Sequence, residues 1–175
     1  GPGLYGLLGP NGAGKSTLIG IITGGLAADS GEVLWCGRPA HGIAFRRVLG
    51  YMPQQQGLYD SYTGRRFLAY MAALKEITRA AVPGEVARVA AAVNLTDELD
   101  KRLAAYSGGM KQRAMIAMGI IAGADMILAD EPTKGLDEER IEMVVDAFHS
   151  LKDQAVLCVT HDLNFAREIS DSISV

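Results

Sequence analysis

The sequence is poor in cysteine, has no excess of basic residues and lacks a long hydrophobic run. Its two cysteines, Cys36 and Cys158, lie in apolar, strand-like runs, so we expect buried free thiols in a reducing cytosol rather than a metal site. The net charge of −3 argues against a dedicated nucleic-acid-binding protein. The longest apolar stretch, 115–124, stops at Asp125 and is too short to span a bilayer, so a role at a membrane would depend on a partner.

The remaining composition is that of one globular domain. The chain has 175 residues, of which 49% are hydrophobic and 21% charged, so it can bury a core and disorder is not expected. It begins with glycines rather than with a basic and then apolar segment, and no signal peptide is predicted.

A glycine-rich stretch near the start of the chain carries the strongest functional signal. It fits the phosphate-binding pattern G-x-x-x-x-G-K-[ST] with Gly9, Pro10, Asn11, Gly12, Ala13, Gly14, Lys15, Ser16 and Thr17. Glycines let the backbone turn tightly around an anion, and a helix starting near Gly14 adds the positive end of its dipole. Lys15 supplies a charge to the outer phosphates, the Ser16 hydroxyl suits Mg²⁺, and Thr17 can donate to an inner phosphate.

The flanks of this loop favour nucleotide binding over a chance match in a glycine-rich turn. An apolar run at 4–8 precedes the loop as a buried strand would, and apolar residues at 18–22 follow it with helical spacing. A strand before the loop and a helix after it are the context in which this pattern binds nucleotides.

Two acids follow another short apolar run, 126–129. Asp130 matches the carboxylate that holds the water shell of the metal in Mg-nucleotide sites, although a carboxylate capping a strand end has the same pattern. Glu131 is predicted to orient the attacking water and accept its proton, in preference to being a surface acid beside Pro132.

A third motif, Ser107, Gly108 and Gly109, precedes an apolar helix. Ser107 is a good N-cap residue, and the glycines allow close approach of the backbone, so this helix start suits an anion. A simple cap would use the same residues. A second anion site in a protein with one phosphate loop could serve a nucleotide held by another subunit.

Strands alternating with helices predict a largely parallel sheet with helices on both faces. Strand-like runs are predicted at 32–36, 48–52 and 155–160, and an amphipathic helix at 141–151. Ligands bind at the carboxyl ends of such strands, just beyond which lie Gly9, Asp130, Glu131 and His161.

From about 61 to 103 the strand signals vanish, which predicts a helical insert in the α/β core. Two amphipathic stripes are expected to pack there: Phe67, Leu68, Met71 and Leu74, then Val86, Val89, Ala90 and Val93. Pro83 and Gly84 are predicted to separate them.

In order, these motifs resemble the ATP-binding-cassette (ABC) ATPase family over essentially the whole chain. The residues that carry the resemblance are 9–17, Gln54, 107–109, 130–133, 135–137 and His161. The Ser-Gly-Gly element distinguishes this family from other phosphate-loop proteins. The resemblance implies an α/β P-loop NTPase core at 1–60 and 104–175, with an α-helical ABC subdomain at about 61–103.

The resemblance also implies ATP and Mg²⁺ as ligands and a role for each motif. Gln54 would touch Mg²⁺ and water and link the site to a transmembrane partner, with Gln55 as the alternative residue. Residues 107–109 would bind the γ-phosphate of ATP in the opposite subunit, and Asp137 would belong to the D-loop beside the nucleotide. His161 would make a polar contact to the γ-phosphate. The implied catalytic set is Glu131, His161, Lys15 and Gln54, and the implied metal set is Ser16, Gln54 and Asp130.

The chain also departs from the family pattern. Met110 follows the Ser-Gly-Gly motif at a position where the family most often has glutamine. Lys134 stands where the D-loop of the family often has serine. The N-terminal β-subdomain, with its adenine-stacking aromatic residue, is expected to be largely missing; Tyr5 lies in the wrong strand. We therefore expect a fragment with impaired adenine recognition and an exposed sheet edge. Residues 3–70 look like drug or natural-product exporters and 114–166 like peptide or nickel importers, which leaves the direction of transport open.

The function predicted from this resemblance is an ATP-hydrolysing subunit that energises transport through a membrane permease. It would act as a homo- or heterodimer of cassettes, cytoplasmic and peripheral on the inner face of the membrane. The alternatives are a soluble cassette ATPase acting on nucleic acid or ribosomes, and a non-hydrolysing regulatory cassette. Soluble cassette ATPases of that kind usually carry coiled-coil insertions or two fused cassettes, and no nucleic-acid partner is expected here. Glu131 and His161 argue against a non-hydrolysing regulatory cassette.

Overall fold

The computed structural model describes residues 1–10, 12–54, 58–151 and 153–175. The strands are β1 (Gly3–Leu8), β2 (Leu34–Trp35), β3 (Arg38–Pro39), β4 (Leu49–Met52), β5 (Met126–Asp130), β6 (Ala155–Thr160) and β7 (Ser172–Ser174). The helices are α1 (Lys15–Ile22), α2 (Gly42–Val48), α3 (Gly64–Leu74), α4 (Val82–Ala92), α5 (Gly108–Gly119), α6 (Glu138–His149) and α7 (Leu163–Ile169). Two short 3₁₀ turns follow α4, at Thr96–Glu98 and Leu103–Ala105.

Five strands form a parallel sheet in the order β4-β5-β6-β1-β7. The central strands β5 and β6 are apolar because both of their faces are covered. The successive residues Ile127 and Leu128 point to opposite faces and belong to different core clusters. One cluster joins the sheet to α5, α6 and α7, and the other joins it to α1 and α2. The predicted parallel sheet with helices on both faces is therefore confirmed.

The parallel register brings three strand ends to one edge of the sheet. Leu8 pairs with Thr160, and Asp130 pairs with Val159. The residues that follow these strands, Gly9, Glu131 and His161, consequently lie at that edge. β7 is an edge strand of the sheet, and all three of its residues are exposed.

Helices α3 and α4 lie within the range 61–103. The second predicted stripe is buried as expected, and Phe67 and Leu68 of the first are buried too. Leu74 was predicted to pack but is 61% exposed, because it is the last residue of α3 and faces a surface groove. Pro83 and Gly84 do not separate the helices: they lie in the first turn of α4, where proline loses no helical hydrogen bond.

The segment 32–48 differs most from the prediction. The strand expected at 32–36 shortens to β2, and Cys36 is exposed rather than buried. The cause is a tight hairpin between β2 and β3 in which Cys36 and Gly37 both have positive φ, so that the Cys36 side chain stands at the tip of the turn. Cys158 is buried as predicted, and this burial raises the pKa of its thiol. Helix α2 was not predicted.

Candidate nucleotide site

The loop between β1 and α1 is built on glycines with left-handed backbone conformations. Gly12 has φ +85° and Gly14, the N-cap of α1, has φ +89°. Residues other than glycine adopt such backbone angles only at a cost in free energy, so the loop conformation requires glycine at these two positions. The N–H of Ala13 donates to the carbonyl of Pro10 at 3.2 Å, which closes the turn. Asn11 lies outside the described residues.

The ammonium group of Lys15 is held against this loop. Its Nζ donates to the carbonyl oxygens of Gly9, at 2.6 Å, and Pro10, at 3.0 Å. The same Nζ lies 4.0 Å from Oε1 of Glu131, and both side chains are largely buried. A positive charge is thus fixed between the glycine loop and the end of β5.

A cavity of about 190 Å³ lies at this position. It is lined by Gly12, Gly14, Lys15, Ser16, Thr17, Gln54, Asp130 and Glu131. Burial, together with the neighbouring Glu131 carboxylate, raises the pKa of Asp130, against the opposing effect of Lys15. The Ser16 hydroxyl, the Gln54 amide oxygen and the Asp130 carboxylate are the oxygen ligands that Mg²⁺ prefers, so these residues fit that metal.

The carboxylate of Glu131 is fixed from the end of β6. Its Oε2 accepts from Nδ1 of His161 at 2.7 Å and from Oγ1 of Thr160 at 3.2 Å. The Glu131 backbone has φ +49°, a strained conformation for a residue with a side chain, and its N–H donates to the Val159 carbonyl at 2.8 Å. The neighbouring carboxylate assigns the proton of a neutral His161 to Nδ1. An acid held in this way keeps one orientation toward the cavity.

Sequence reasoning missed Thr160. Its position at the end of β6, directly before His161, is the signal that could have identified it.

Gln54 and His161 also line a second cavity of about 300 Å³ beside the first, together with Glu131. Gln55, the alternative to Gln54, lies outside the described residues.

The Ser-Gly-Gly motif starts α5 away from this cavity. Ser107 is the N-cap of α5, and its hydroxyl accepts from the Met110 N–H at 3.2 Å. Asp137 caps α6 in the same way, accepting from the Arg140 N–H at 3.1 Å. Neither Ser107 nor Asp137 belongs to the described lining of the two cavities. The structure therefore gathers Lys15, the two acids, Gln54 and His161, and leaves the Ser-Gly-Gly motif and Asp137 outside.

Arg140 is a second residue that the sequence did not indicate. Its side chain lies along the start of α5, where a Cβ on Gly108 would be 3.4 Å from Nη1 and a Cβ on Gly109 would be 3.6 Å from Cγ. The same Nη1 lies 3.3 Å from the Asp137 carboxylate. The starts of α5 and α6 are thus adjacent, with one guanidinium between them.

A parallel sheet with a glycine-rich loop between β1 and α1, and an acid pair at the end of a nearby strand, defines a P-loop NTPase fold. The chain belongs to the ABC transporter family, whose family model matches residues 3–134. This is a family of ATP-binding transport ATPases, and ATP hydrolysis is its general activity. Among the described residues, every helix is too short or too polar to cross a bilayer.

Two curated relatives illustrate the range of similar proteins. The chain is 31% identical over 170 residues to the molybdate/tungstate import ATP-binding protein WtpC of Methanocaldococcus jannaschii, covering 97% of this chain and 57% of that protein. It is 32% identical over 172 residues to the human phospholipid-transporting ATPase ABCA3, covering 97% of this chain and 10% of that protein. The chain therefore spans less than two thirds of the length of either relative.

Solved structures agree with this assignment. The ATP binding subunit of an ABC transporter has a TM-score of 0.82 and 29% identity, with 98% of this chain and 73% of that chain covered. The structure of cbiO1 from Clostridium perfringens, described as part of the transporter complex cbiONQ, has a TM-score of 0.88. At 23% identity, covering 98% of this chain and 72% of that one, it shares the fold.

Proposed function

We propose that this chain binds Mg-ATP and hydrolyses it to ADP and phosphate. The observation that carries the proposal is the position of Glu131, whose carboxylate bonds to His161 on one side and faces Lys15 on the other, in the wall of the phosphate-loop cavity. A base that is fixed beside a phosphate-binding loop is what hydrolysis of a terminal phosphate requires.

Each residue of the cavity has a role in this proposal. The backbone N–H groups of the loop bind the phosphates, and Lys15 supplies positive charge to the outer ones. Ser16, Gln54 and Asp130 would hold Mg²⁺, which neutralises charge on the phosphate oxygens when it is bound. Glu131 orients a water in line with the terminal phosphate and accepts its proton, while His161 keeps the carboxylate in place.

We propose further that the active unit is a dimer of two cassettes. Ser107 is exposed, and Gly108 and Gly109 are partly exposed. All three lie outside the described lining of this chain's own cavity, so the start of α5 is available to a second subunit. In the dimer, Ser107 and the two glycines bind the γ-phosphate of the ATP that the other subunit holds, and Asp137 lies beside it. Two ATP molecules are then enclosed between the subunits.

The hydrolysing dimer would drive a membrane permease. Support comes from the names of the relatives, which include an import ATP-binding protein and a phospholipid-transporting ATPase, and from a structural neighbour described as part of a transporter complex. We infer that the partner contacts the surface near Gln54 and the helices α3 and α4, and that this contact places the chain at the inner face of the membrane.

Two measurements on the full-length protein test the proposal. Glu131→Gln should bind Mg-ATP as the wild type does, lose hydrolysis by about 10²-fold or more and form a longer-lived ATP-bound dimer. The exposed Glu168→Gln serves as the matched control and should retain wild-type turnover. Unchanged turnover in Glu131→Gln would remove Glu131 from the role of base.

The second measurement identifies the partner. Purification under mild detergent should recover a membrane permease with the full-length protein. Recovery of nucleic acid or ribosomes instead would favour a cassette ATPase without a transport role, and ATP binding without turnover by the wild type would favour a regulatory cassette.

A further inference from the structure

A buried hydrogen bond joins α5 to the turn that carries Glu131. Gln112 of α5 is 8% exposed, and its Nε2 donates to the carbonyl oxygen of Pro132 at 2.6 Å. Pro132 directly follows Glu131, and Gln112 lies in the helix that Ser107 caps. One side chain therefore connects the helix that presents the Ser-Gly-Gly motif to the turn that carries the proposed base.

The turn at the acceptor end depends on external contacts. Glu131 has φ +49°, which few residues with a side chain adopt without compensating interactions. Within the turn, the Lys134 N–H donates to the Glu131 carbonyl at 3.1 Å. The Pro132 carbonyl receives its bond from outside the turn, from Gln112. Removal of this donor would leave a buried carbonyl without its partner and loosen the backbone beside the base.

The far end of α5 is held by α4. Glu85 accepts from the Ala122 N–H at 2.7 Å and from the guanidinium of Arg88, and Arg88 donates to the Ile120 carbonyl at 2.9 Å. These bonds satisfy the carbonyl of Ile120, the C-cap of α5, and the N–H of Ala122, which lies just beyond the helix and has φ +64°. The C-terminal end of α5 is therefore tied to α4.

We infer that Gln112 is a positioning residue that couples the position of α5 to the orientation of the Glu131 side chain in the same chain. The inference rests on the proposed function, in which the start of α5 contacts the triphosphate bound by the opposite subunit. Occupancy of that contact then favours one position of Gln112, and so of Pro132 and Glu131. Hydrolysis in one site becomes sensitive to the nucleotide bound in the other.

Two variants of Gln112 in the full-length protein test this coupling. Gln112→Met keeps the length of the side chain and removes the donor. It should retain the affinity for Mg-ATP and, in the Glu131→Gln background, ATP-driven dimerisation. It should lower kcat per folded protein by about tenfold, the rate equivalent of one hydrogen bond, and bring the Hill coefficient for ATP toward one. Gln154→Met, a partly buried substitution of the same kind, is the matched control and should leave kcat and the Hill coefficient unchanged.

The second variant gives a signature that a purely structural role would not produce. In Gln112→Glu the carboxylate repels the Pro132 carbonyl, whereas the protonated acid can donate to it. The kcat of this variant relative to wild type should therefore rise as the pH is lowered from neutral. A flat ratio, or a loss of kcat that matches the loss of folded protein, would overturn the inference.

Hydrogen exchange separates this inference from the proposed function. In the protein without nucleotide, the Lys134 amide should exchange about tenfold faster in Gln112→Met than in wild type, because the turn opens more easily. If the wild type does not hydrolyse ATP, the proposed function fails while this measurement still decides whether Gln112 holds the turn. Unchanged exchange at Lys134 would contradict the coupling.

Discussion

Nδ1 of His161 lies 2.7 Å from Oε2 of Glu131, although 30 residues separate them in the chain. The parallel register of β5 and β6 brings them together, because Asp130 pairs with Val159, and Glu131 and His161 are the first residues after the ends of these two strands. Glu131 is nearly buried, whereas the His161 side chain is 54% exposed. The imidazole thus connects the buried acid to the space where a nucleotide would bind.

This contact predicts that the two residues act as a unit in hydrolysis. His161→Ala should lower kcat by about 10–10²-fold, because Glu131 loses the bond that orients it. The double variant His161→Ala/Glu131→Gln should be no slower than the slower single variant, since both changes disable the same step. Single-turnover hydrolysis with saturating Mg-ATP measures the three rates.

His149→Ala is the control for this cycle, because His149 is exposed and its Nε2 contacts a carbonyl of α7, that of Glu168. It should retain wild-type kcat. If the losses of the two single variants multiply in the double variant, His161 acts independently of Glu131, for example on the phosphate alone.

The parts of the site that lie close together in sequence, or at strand ends, could be predicted. The glycine loop is one continuous segment, and the acids at 130–131 and His161 follow apolar runs that become central strands. The alternation of strands and helices along the sequence was enough to predict that the carboxyl ends of these strands lie at one edge of a parallel sheet. The prediction of the fold class and the family is confirmed for this reason.

The rest depended on contacts that a local pattern does not contain. Pro83 and Gly84 have the composition of a break, yet the start of a helix tolerates them. Cys36 has apolar neighbours, yet a hairpin turn exposes it. The bond from Gln112 to Pro132 joins residues whose positions only the packing of α5 against the sheet could define.

Gly108 provides a test of the proposed dimer. A Cβ at this position would lie 3.4 Å from Nη1 of Arg140, at the tip of a flexible side chain, so Gly108→Ala fits the monomer. The monomer should be as stable as wild type or more stable by about 0.5 kcal/mol, since alanine favours a helix. The added methyl group nevertheless obstructs the backbone where the opposite nucleotide should approach. We expect ATP-driven dimerisation, measured by light scattering in the Glu131→Gln background, to weaken by about tenfold or more.

The control for this prediction is Gly84→Ala, in the first turn of α4, where an added Cβ meets no atom within 4 Å. It should show normal dimerisation. If Gly108→Ala also forms the ATP-bound dimer with wild-type affinity, the start of α5 does not face the second nucleotide.

Gly50 predicts a stability effect that is independent of function. A Cβ at this position in β4 would lie 1.9 Å from the carbonyl oxygen of Gly119 at the end of α5. Backbone cannot yield as a flexible side chain does, so α5 would have to move away from the sheet. Gly50→Ala should lower the free energy of unfolding by about 3 kcal/mol or more, or prevent folding. Urea unfolding followed by circular dichroism measures this, with Gly84→Ala as the control. Wild-type stability in Gly50→Ala would mean that β4 and α5 are not in close contact.

Asp130 should show opposite effects on stability and on function. Burial and the Glu131 carboxylate raise the pKa of Asp130, so ionisation of this group is less favourable in the folded state than in the unfolded chain. At neutral pH, Asp130→Asn should therefore raise Tm by about 2–4 °C in the absence of nucleotide, as for a gain on the order of 1 kcal/mol. The difference in Tm should shrink as the pH falls from neutral toward the ordinary pKa of an aspartate, about 3.9, because the wild-type carboxyl then becomes protonated in the folded state.

Mg-dependent hydrolysis should be lost in the Asp130→Asn variant, since the proposed metal ligand loses its charge. The exposed Asp125→Asn is the control and should change neither property; a Tm gain in Asp130→Asn that grows at lower pH would contradict the assigned direction of the shift.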